Sequence, residues 1–309
     1  MVKYIKIYKN FNIKSSDKGS IILIGNFDGL HLGHQKLFKL AKNFKKKYSL
    51  KIGVLTFEPM PKMFFNNNLK NFRISNQKQK IDLLKKFKVD FVITKKFDKI
   101  FSKTRSINFI KKILNDKLKA KFIFVSNNFR FGNKREGTVK QLVNYETECN
   151  FKVIKPKPLI KDKKIISSSL IRKIIQSGDL DKVNRNLGRV WSIYGKVIKG
   201  RQLGKKIGFP TANIDIKDYV IAKPGVYAVK VQKFKSKKLI KGIANLGYRP
   251  TFKQKKILLE VHLFNFSGNL YNKYLTVNFL KFIRSEKKFK NIEQLKKQIK
   301  IDLRKAKNI

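Results

Sequence analysis

The chain has 309 residues, of which 42% are hydrophobic and 12% aromatic, enough apolar material for two packed cores, which excludes wholesale disorder despite 30% charged residues. Its 74 Lys+Arg against 19 Asp+Glu give a net charge of +55, but residues 188–309 hold 30 basic and 6 acidic residues, so the excess runs at similar density through both halves and no basic block marks a nucleic-acid arm. The single cysteine, Cys149, excludes an internal disulfide framework; the first residues lack the apolar core of a signal peptide, and no run reaches the roughly 18 apolar residues of a membrane helix, so the expectation is a cytoplasmic chain with neither a nucleic-acid nor a membrane partner.

The first half alternates short apolar runs with helical patterns. Ile21–Ile24 reads as a buried strand and is followed by a helix from Gly33 to about Lys47. Further strands are expected at 51–57, 89–94, 121–125 and 151–154, with helices at 76–87 and 105–118 between them. Continuous apolar strands alternating with helices imply a parallel sheet covered on both faces, with ligands beyond the carboxyl ends of its strands. Two short helices follow, at about 168–176 and 179–187. After Gly188 the pattern turns all-β, with strands at 191–199, 226–232, 239–244, 257–266 and 275–282, rich in β-branched and aromatic residues. A last helix over 291–307 carries Ile292, Leu295, Ile299 and Leu303 on one face. The fold class is therefore α/β plus all-β, with domains at 1–187 and 188–309.

The turn Gly25-Asn-Phe-Asp-Gly-Leu-His-Leu-Gly-His34 leaves the first strand and enters a helix. Its glycines permit a tight turn and close approach of a ligand to the backbone, and a helix N-terminus favours phosphate. His31 and His34, three apart, project to one side and can donate to such an anion. The competing readings are two ordinary surface histidines, and a zinc site that lacks a clustered third ligand. In the second half, Gly208-Phe-Pro-Thr-Ala-Asn213 reads as an ordinary turn or as a pair of oxygen donors, Thr211 and Asn213, for Mg²⁺ held largely by substrate phosphates. Glu260 and His262 share one face of the strand Leu258–Leu263; the glutamate is either a base for a hydroxyl nucleophile or a solvated side chain.

These motifs resemble, in order, those of the bacterial bifunctional riboflavin kinase/FAD synthetase family. The Gly25–His34 turn is similar to its G-x-F-D-G-x-H-x-G-H signature. Thr56–Pro61 resembles its second-strand motif with Met60 in place of His, Asn128–Gly132 its N/D-F-x-F-G loop, and Ser167–Arg172 its S-S-T-x-I-R motif. The segments Gly208–Asn213, Pro224–Tyr227, Ala244–Thr251, Glu260–Leu263 and Ile283–Lys287 resemble the riboflavin kinase module. The resemblance implies a nucleotidylyltransferase-like parallel α/β domain and a Greek-key β-barrel closed by a terminal helix.

By the same resemblance the substrates are riboflavin, FMN and ATP, with Mg²⁺ as the metal. His31 and His34 would contact ATP phosphates, with Arg172 and Ser168 closing over them. Gly25, Phe27, Asp28, Gly29, Asn128 and, in the kinase half, Gly208 would line nucleotide sites. Glu260 would deprotonate the ribityl hydroxyl, Thr211 and Asn213 would hold Mg²⁺-ATP, and Arg284 would contact the flavin. Asn272 stands where the family has Gly, a departure that a left-handed Asn tolerates. The alternatives are a chain that keeps only one of the two activities, or a basic nucleic-acid binder.

Overall fold

The computed structural model describes residues 5–66, 68–200, 202, 204, 207–233, 236, 238–250 and 255–309. The chain forms two compact units, Met1–Leu69 with Lys80–Ser167, and Lys70–Gln79 with Ser168–Ile309.

In the first unit the elements run β1 (Lys6–Tyr8), β2 (Ile21–Ile24), α1 (Leu32–Tyr48), β3 (Ile52–Glu58), α2 (Pro61–Phe65), α3 (Gln77–Lys86, of this unit from Lys80 onward) and β4 (Phe91–Lys96). They continue through α4 (Lys99–Ser102), α5 (Ser106–Asn108, extended as a π-helix over Phe109–Lys117), β5 (Phe122–Phe124), β6 (Arg130–Phe131), β7 (Gly137–Thr138), α6 (Val139–Asn144), β8 (Lys152–Ile154), β9 (Ile160–Lys161) and β10 (Lys164–Ile165). Six strands build one parallel sheet in the order β1-β4-β3-β2-β5-β8. Alternation along β2 divides the core: Ile21 and Leu23 pack with Phe38, Ala41 and Leu84 of α1 and α3, while Ile22 and Ile24 pack with Phe109, Ile113 and Leu114 of the π-helix. Both faces of β2 are covered, hence its unbroken apolar run.

Strand order decides where a ligand site can form. From β2 the chain moves outward through β3 and β4, then returns to the other side of β2 with β5 and β8. The switch point lies between β2 and β5, and the crevice beyond their carboxyl ends is where such sheets bind ligands. Leu23 pairs with Phe124, so Gly25 and Ser126 leave the sheet side by side, each two residues beyond that rung.

At the opposite end of this sheet, Asp17 is buried and receives Lys51 at 2.7 Å, Tyr8 OH at 2.6 Å and Lys6 at 3.1 Å. Burial alone would raise its carboxyl, but these three donors outweigh burial and hold the pKa at about 2. A depressed folded pKa stabilises the fold above the unfolded carboxylate value, and the contribution is lost as pH falls from roughly 4 towards 2. Asp17→Asn is therefore expected to cost at most about 2 kcal/mol at pH 7 in urea denaturation, with the difference shrinking below pH 4. A difference that stayed constant with pH would show that the ion cluster is not its source.

The second unit opens with α7 (Ser168–Ser177) and α8 (Leu180–Leu187) and continues into β11 (Ser192–Ile198), β12 (Ala212–Ile214), β13 (Gly225–Lys233), β14 (Leu239–Pro250), β15 (Lys255–Leu263) and β16 (Tyr274–Ser285). These strands close an antiparallel barrel in the order β11-β12-β15-β14-β13-β16. Ile171, Ile175, Val183 and Leu187 of the two helices join Trp191 and the barrel interior in one core. Asn272 takes the left-handed conformation expected of it, at φ 60°. The terminal helix Ile292–Lys307 is capped by Asn291, but its packed stripe centres on Asp302 and Ala306, and Ile292 is 60% exposed. Of the face expected from Ile292, Leu295, Ile299 and Leu303, the last three are half-buried and Leu303 packs with Ala306 and Phe264, while Ile292 lies outside the packed stripe. Among the described residues no helix is long and apolar enough to cross a membrane.

Candidate functional site

In the first unit, the turn between β2 and α1 brings the two histidines together. His31 is the N-cap of α1, and its Nδ1 accepts the His34 backbone N–H at 3.4 Å. That acceptor role leaves the proton of the neutral ring on Nε2. The His31 and His34 rings stack with centroids 3.7 Å apart. Behind them the edge of His34 meets Phe27, whose ring packs in turn on Phe38. Phe27 and Leu30 hold positive φ, a strained conformation for residues with a side chain, while Gly29 takes it at no steric cost. Space at Gly33 is tight: a Cβ there would sit 3.1 Å from both His31 Nδ1 and the Ile166 carbonyl. The chain just before Ser167 therefore runs against the start of α1.

Asp28 is 2% exposed at the centre of this turn. The buried amide oxygen of Asn26 meets no donor among the described residues, an acceptor placed for a ligand hydroxyl or amine. Asn26 lies inside the glycine-rich run, yet nothing in residue type or spacing distinguishes it there. Asn128, beyond β5, is exposed and accepts a hydrogen bond from Ser126 Oγ at 3.1 Å. Met60 is buried and its carbonyl starts α2, so the polar group that a histidine would bring is absent at this position.

Ser168 and Arg172 belong to the second unit, four residues apart on α7 and so on one face. Arg172 Nε donates to the Phe72 carbonyl at 2.7 Å, and its guanidinium lies 3.6 Å from the centroid of the Phe72 ring.

The barrel carries the other constellation. Register pairs Asn213 with Glu260 across β12 and β15, and Glu260 with Asn245 across β15 and β14. The three side chains form one rung on a common face. The neighbouring rungs, Ile214–Leu259–Leu246 and Ala212–Val261–Ala244, point the other way into the core. Glu260 is thus on the outside of the barrel but only partly exposed, with an amide on either side. Asn213 is 7% exposed because Gly200 lies directly against its side-chain amide, where any Cβ would collide.

His262, two residues beyond Glu260, bonds the Pro210 carbonyl through Nδ1 at 2.8 Å, so its proton sits on Nδ1. This bond fastens the Gly208–Asn213 segment to β15. The sequence paired Glu260 with His262 but gave His262 no partner, and it gave Asn245 no part; both follow only from register. Arg201, Leu203, Lys205 and Thr251, which lie within or beside the predicted motifs, are outside the described residues.

Arg284 is committed to the terminal helix. Its Nε donates to both Asp302 oxygens at 3.0 and 2.8 Å, Nη2 lies 2.7 Å from Asp302 Oδ2, and Nη1 donates to the Ser285 carbonyl at 2.9 Å. Asp302 is 2% exposed, so removing the arginine strands a buried carboxylate. Arg284→Ala is expected to cost about 3–5 kcal/mol in urea denaturation, with much of the loss recovered when Asp302 is also made Leu. A cost below about 1 kcal/mol would mean that the pair is solvated.

Three comparisons agree with this architecture. The FAD synthetase family matches residues 13–170, and the riboflavin kinase family matches residues 187–309. The bifunctional riboflavin kinase/FMN adenylyltransferase of Buchnera aphidicola subsp. Schizaphis graminum is 41% identical over 295 residues, covering 94% of either chain. Its namesake from Escherichia coli K12 is 35% identical over 289 residues, covering 94% of this chain and 92% of its own. A crystal structure from Streptococcus pneumoniae, described as a macrolide-efflux protein, superposes with a TM-score of 0.86 at 28% identity and covers 98% of each chain.

Proposed function

Because the chain belongs to the family of bifunctional riboflavin kinase/FMN adenylyltransferases, we propose that it makes FMN from riboflavin and FAD from FMN at two separate sites, the catalytic division falling at residues 187/188. The observation that carries this reading is that the stacked His31–His34 pair and the Glu260 rung belong to different compact units. Both reactions use ATP, and neither calls for a compartment other than the cytoplasm.

At the first site an FMN phosphate oxygen attacks the α-phosphorus of ATP, and pyrophosphate leaves with the bonding electrons. FMN supplies the nucleophile, so the protein has only to align the two phosphates and stabilise charge at the reacting centre. His31 Nε2–H and the His34 imidazole donate to the ATP phosphates, and the α1 N-terminus adds its positive end. Gly25, Phe27, Asp28, Gly29 and Asn128 shape the nucleotide cleft. The buried Asn26 oxygen is a further acceptor for the nucleotide.

At the second site the Glu260 carboxylate takes the proton of the terminal ribityl hydroxyl as that oxygen attacks the γ-phosphorus and ADP leaves. Asn213 is a neutral oxygen donor beside this carboxylate and Thr211 a second donor two residues before it, a set that suits Mg²⁺ shared with ATP phosphates. Mg²⁺ bound with ATP supplies neutralisation of phosphate charge. Gly208 leads into this segment, and Arg284, through its pair with Asp302, fixes the end of β16 that would face the flavin.

Contacts to charged groups are worth about 1.5–3 kcal/mol, so Asn213→Ala is expected to raise the Mg²⁺-ATP concentration for half-maximal phosphorylation by roughly 10–100-fold. Chelation of Mg²⁺ should stop phosphorylation altogether. Unchanged Mg²⁺ dependence in the variant would remove Asn213 from the metal site.

A further inference from the structure

Thr211 sits where a barrel ladder runs out. Asn213 pairs with Glu260 and Ala212 with Val261, and continuing that register by one rung would set Thr211 against His262. The strand begins only at Ala212, and Pro210 has no N–H with which to extend the pairing. A side-chain bond takes over there, His262 Nδ1–H donating to the Pro210 carbonyl at 2.8 Å. Just before it the segment closes on itself, with the Phe209 N–H donating to the Gly204 carbonyl at 2.7 Å.

The histidine bond fixes a direction as well as a distance. The proline ring holds φ of Pro210 near about −65°, and the aim of its carbonyl then sets ψ. That carbonyl shares one peptide plane with the nitrogen and Cα of Thr211, so aiming the oxygen also places the first atoms of Thr211. From the other side Thr211 is held through the Ala212 rung. The imidazole is itself confined: the Phe209 ring meets it edge-on with centroids 6.2 Å apart, and the ring of the buried Phe264 lies at 6.1 Å. His262 is two residues from Glu260 on β15 and shares its outer face. One strand thus carries the proton acceptor and, through Pro210, the mount of a metal donor.

We infer that His262 is a positioning residue for riboflavin phosphorylation: its Nδ1–H bond to Pro210 presets Thr211 for the Mg²⁺ that arrives with ATP. This rests on the reading of Thr211 and Asn213 as Mg²⁺ donors. The effect falls on the affinity for Mg²⁺-ATP, because the strand that holds the Glu260 carboxylate keeps its own ladder to β14 without the imidazole.

The test uses the full chain, with kcat and KM for Mg²⁺-ATP measured for riboflavin phosphorylation and, as a control, for FMN-to-FAD conversion. His262→Phe keeps a ring between Phe209 and Phe264 and removes the donor. It is expected to raise the KM for Mg²⁺-ATP in phosphorylation by roughly 3–10-fold, the net worth of one hydrogen bond, with kcat within about twofold and adenylylation unchanged. His262→Asn, whose amide nitrogen can stand where Nδ1 stood, should restore the affinity, whereas His262→Gln, whose amide reaches the place of Nε2, should not. In a Thr211→Ala background, His262→Phe should add no further loss. If Thr211→Ala itself leaves the Mg²⁺-ATP dependence unchanged, the metal role of Thr211 fails and the inference falls with it. If Thr211→Ala weakens the dependence while His262→Phe does not, or the two losses add in full, only the positioning role of His262 is overturned. Rescue by Gln in place of Asn, or a fall in kcat with KM unchanged, would overturn it as well.

Discussion

Replacing Glu260 with Gln is expected to lower riboflavin phosphorylation by about 10²–10⁴-fold while FMN-to-FAD conversion continues at its normal rate. Glutamine keeps the size of the side chain and its hydrogen-bonding reach towards Asn213 and Asn245 on the same rung, but it cannot take a proton at neutral pH. The barrel interior is untouched, because the rung faces away from Leu259, Val261 and Leu246. Loss of phosphorylation with an unchanged unfolding midpoint therefore isolates the chemical role. A reduction well under about 10²-fold, with normal riboflavin binding, would return Glu260 to the solvated face and move the search for the base elsewhere.

The second large effect belongs to the histidine pair. His34→Ala is expected to lower AMP transfer by about 10²–10³-fold, the equivalent of about 2.7–4 kcal/mol, by analogy with removal of one donor from a charge-stabilising site. Phosphorylation of riboflavin should be spared. His34 is the cleaner of the two positions. His31 also caps α1, so its removal adds a loss of about 0.5–2 kcal/mol of helix stability to any catalytic effect. Comparing the two variants by denaturation and by rate separates capping from catalysis. Full FAD formation in His34→Ala would remove the imidazole from the reaction.

The elements that carry the sites were largely legible because their signals are local. Ile21–Ile24 reads as a doubly covered strand from four consecutive apolar residues, and the turn after it combines two glycines with the only closely spaced histidines in the chain. The barrel was visible in the shift to β-branched and aromatic runs after Gly188. Two of the three-residue strands were not: Lys6–Tyr8 has two exposed residues and no apolar run, and Ala212–Ile214 hides in what reads as a turn. Their pairing is set by partners far along the chain, at 91–93 and 259–261.

Non-local commitments were hidden for the same reason. Nothing near residues 70–79 announces that Trp191, Tyr219 and Tyr194 will bind them, so the compact boundary at Ser167/Ser168 and the transfer of this segment to the second unit could not be read. Asp302 reads as part of a polar helix face. Only the guanidinium of Arg284, arriving from β16, gives it a buried partner.

Chromatography of the products from riboflavin and Mg²⁺-ATP, run on the intact chain, His34→Ala and Glu260→Gln, tests the two-site account most directly. The intact chain should yield FMN that is consumed into FAD. His34→Ala should stop at FMN, and Glu260→Gln should make FAD when fed FMN but neither product when fed riboflavin. Loss of both conversions in either folded variant would contradict the division of the two reactions between the β2–α1 turn and the β15 rung.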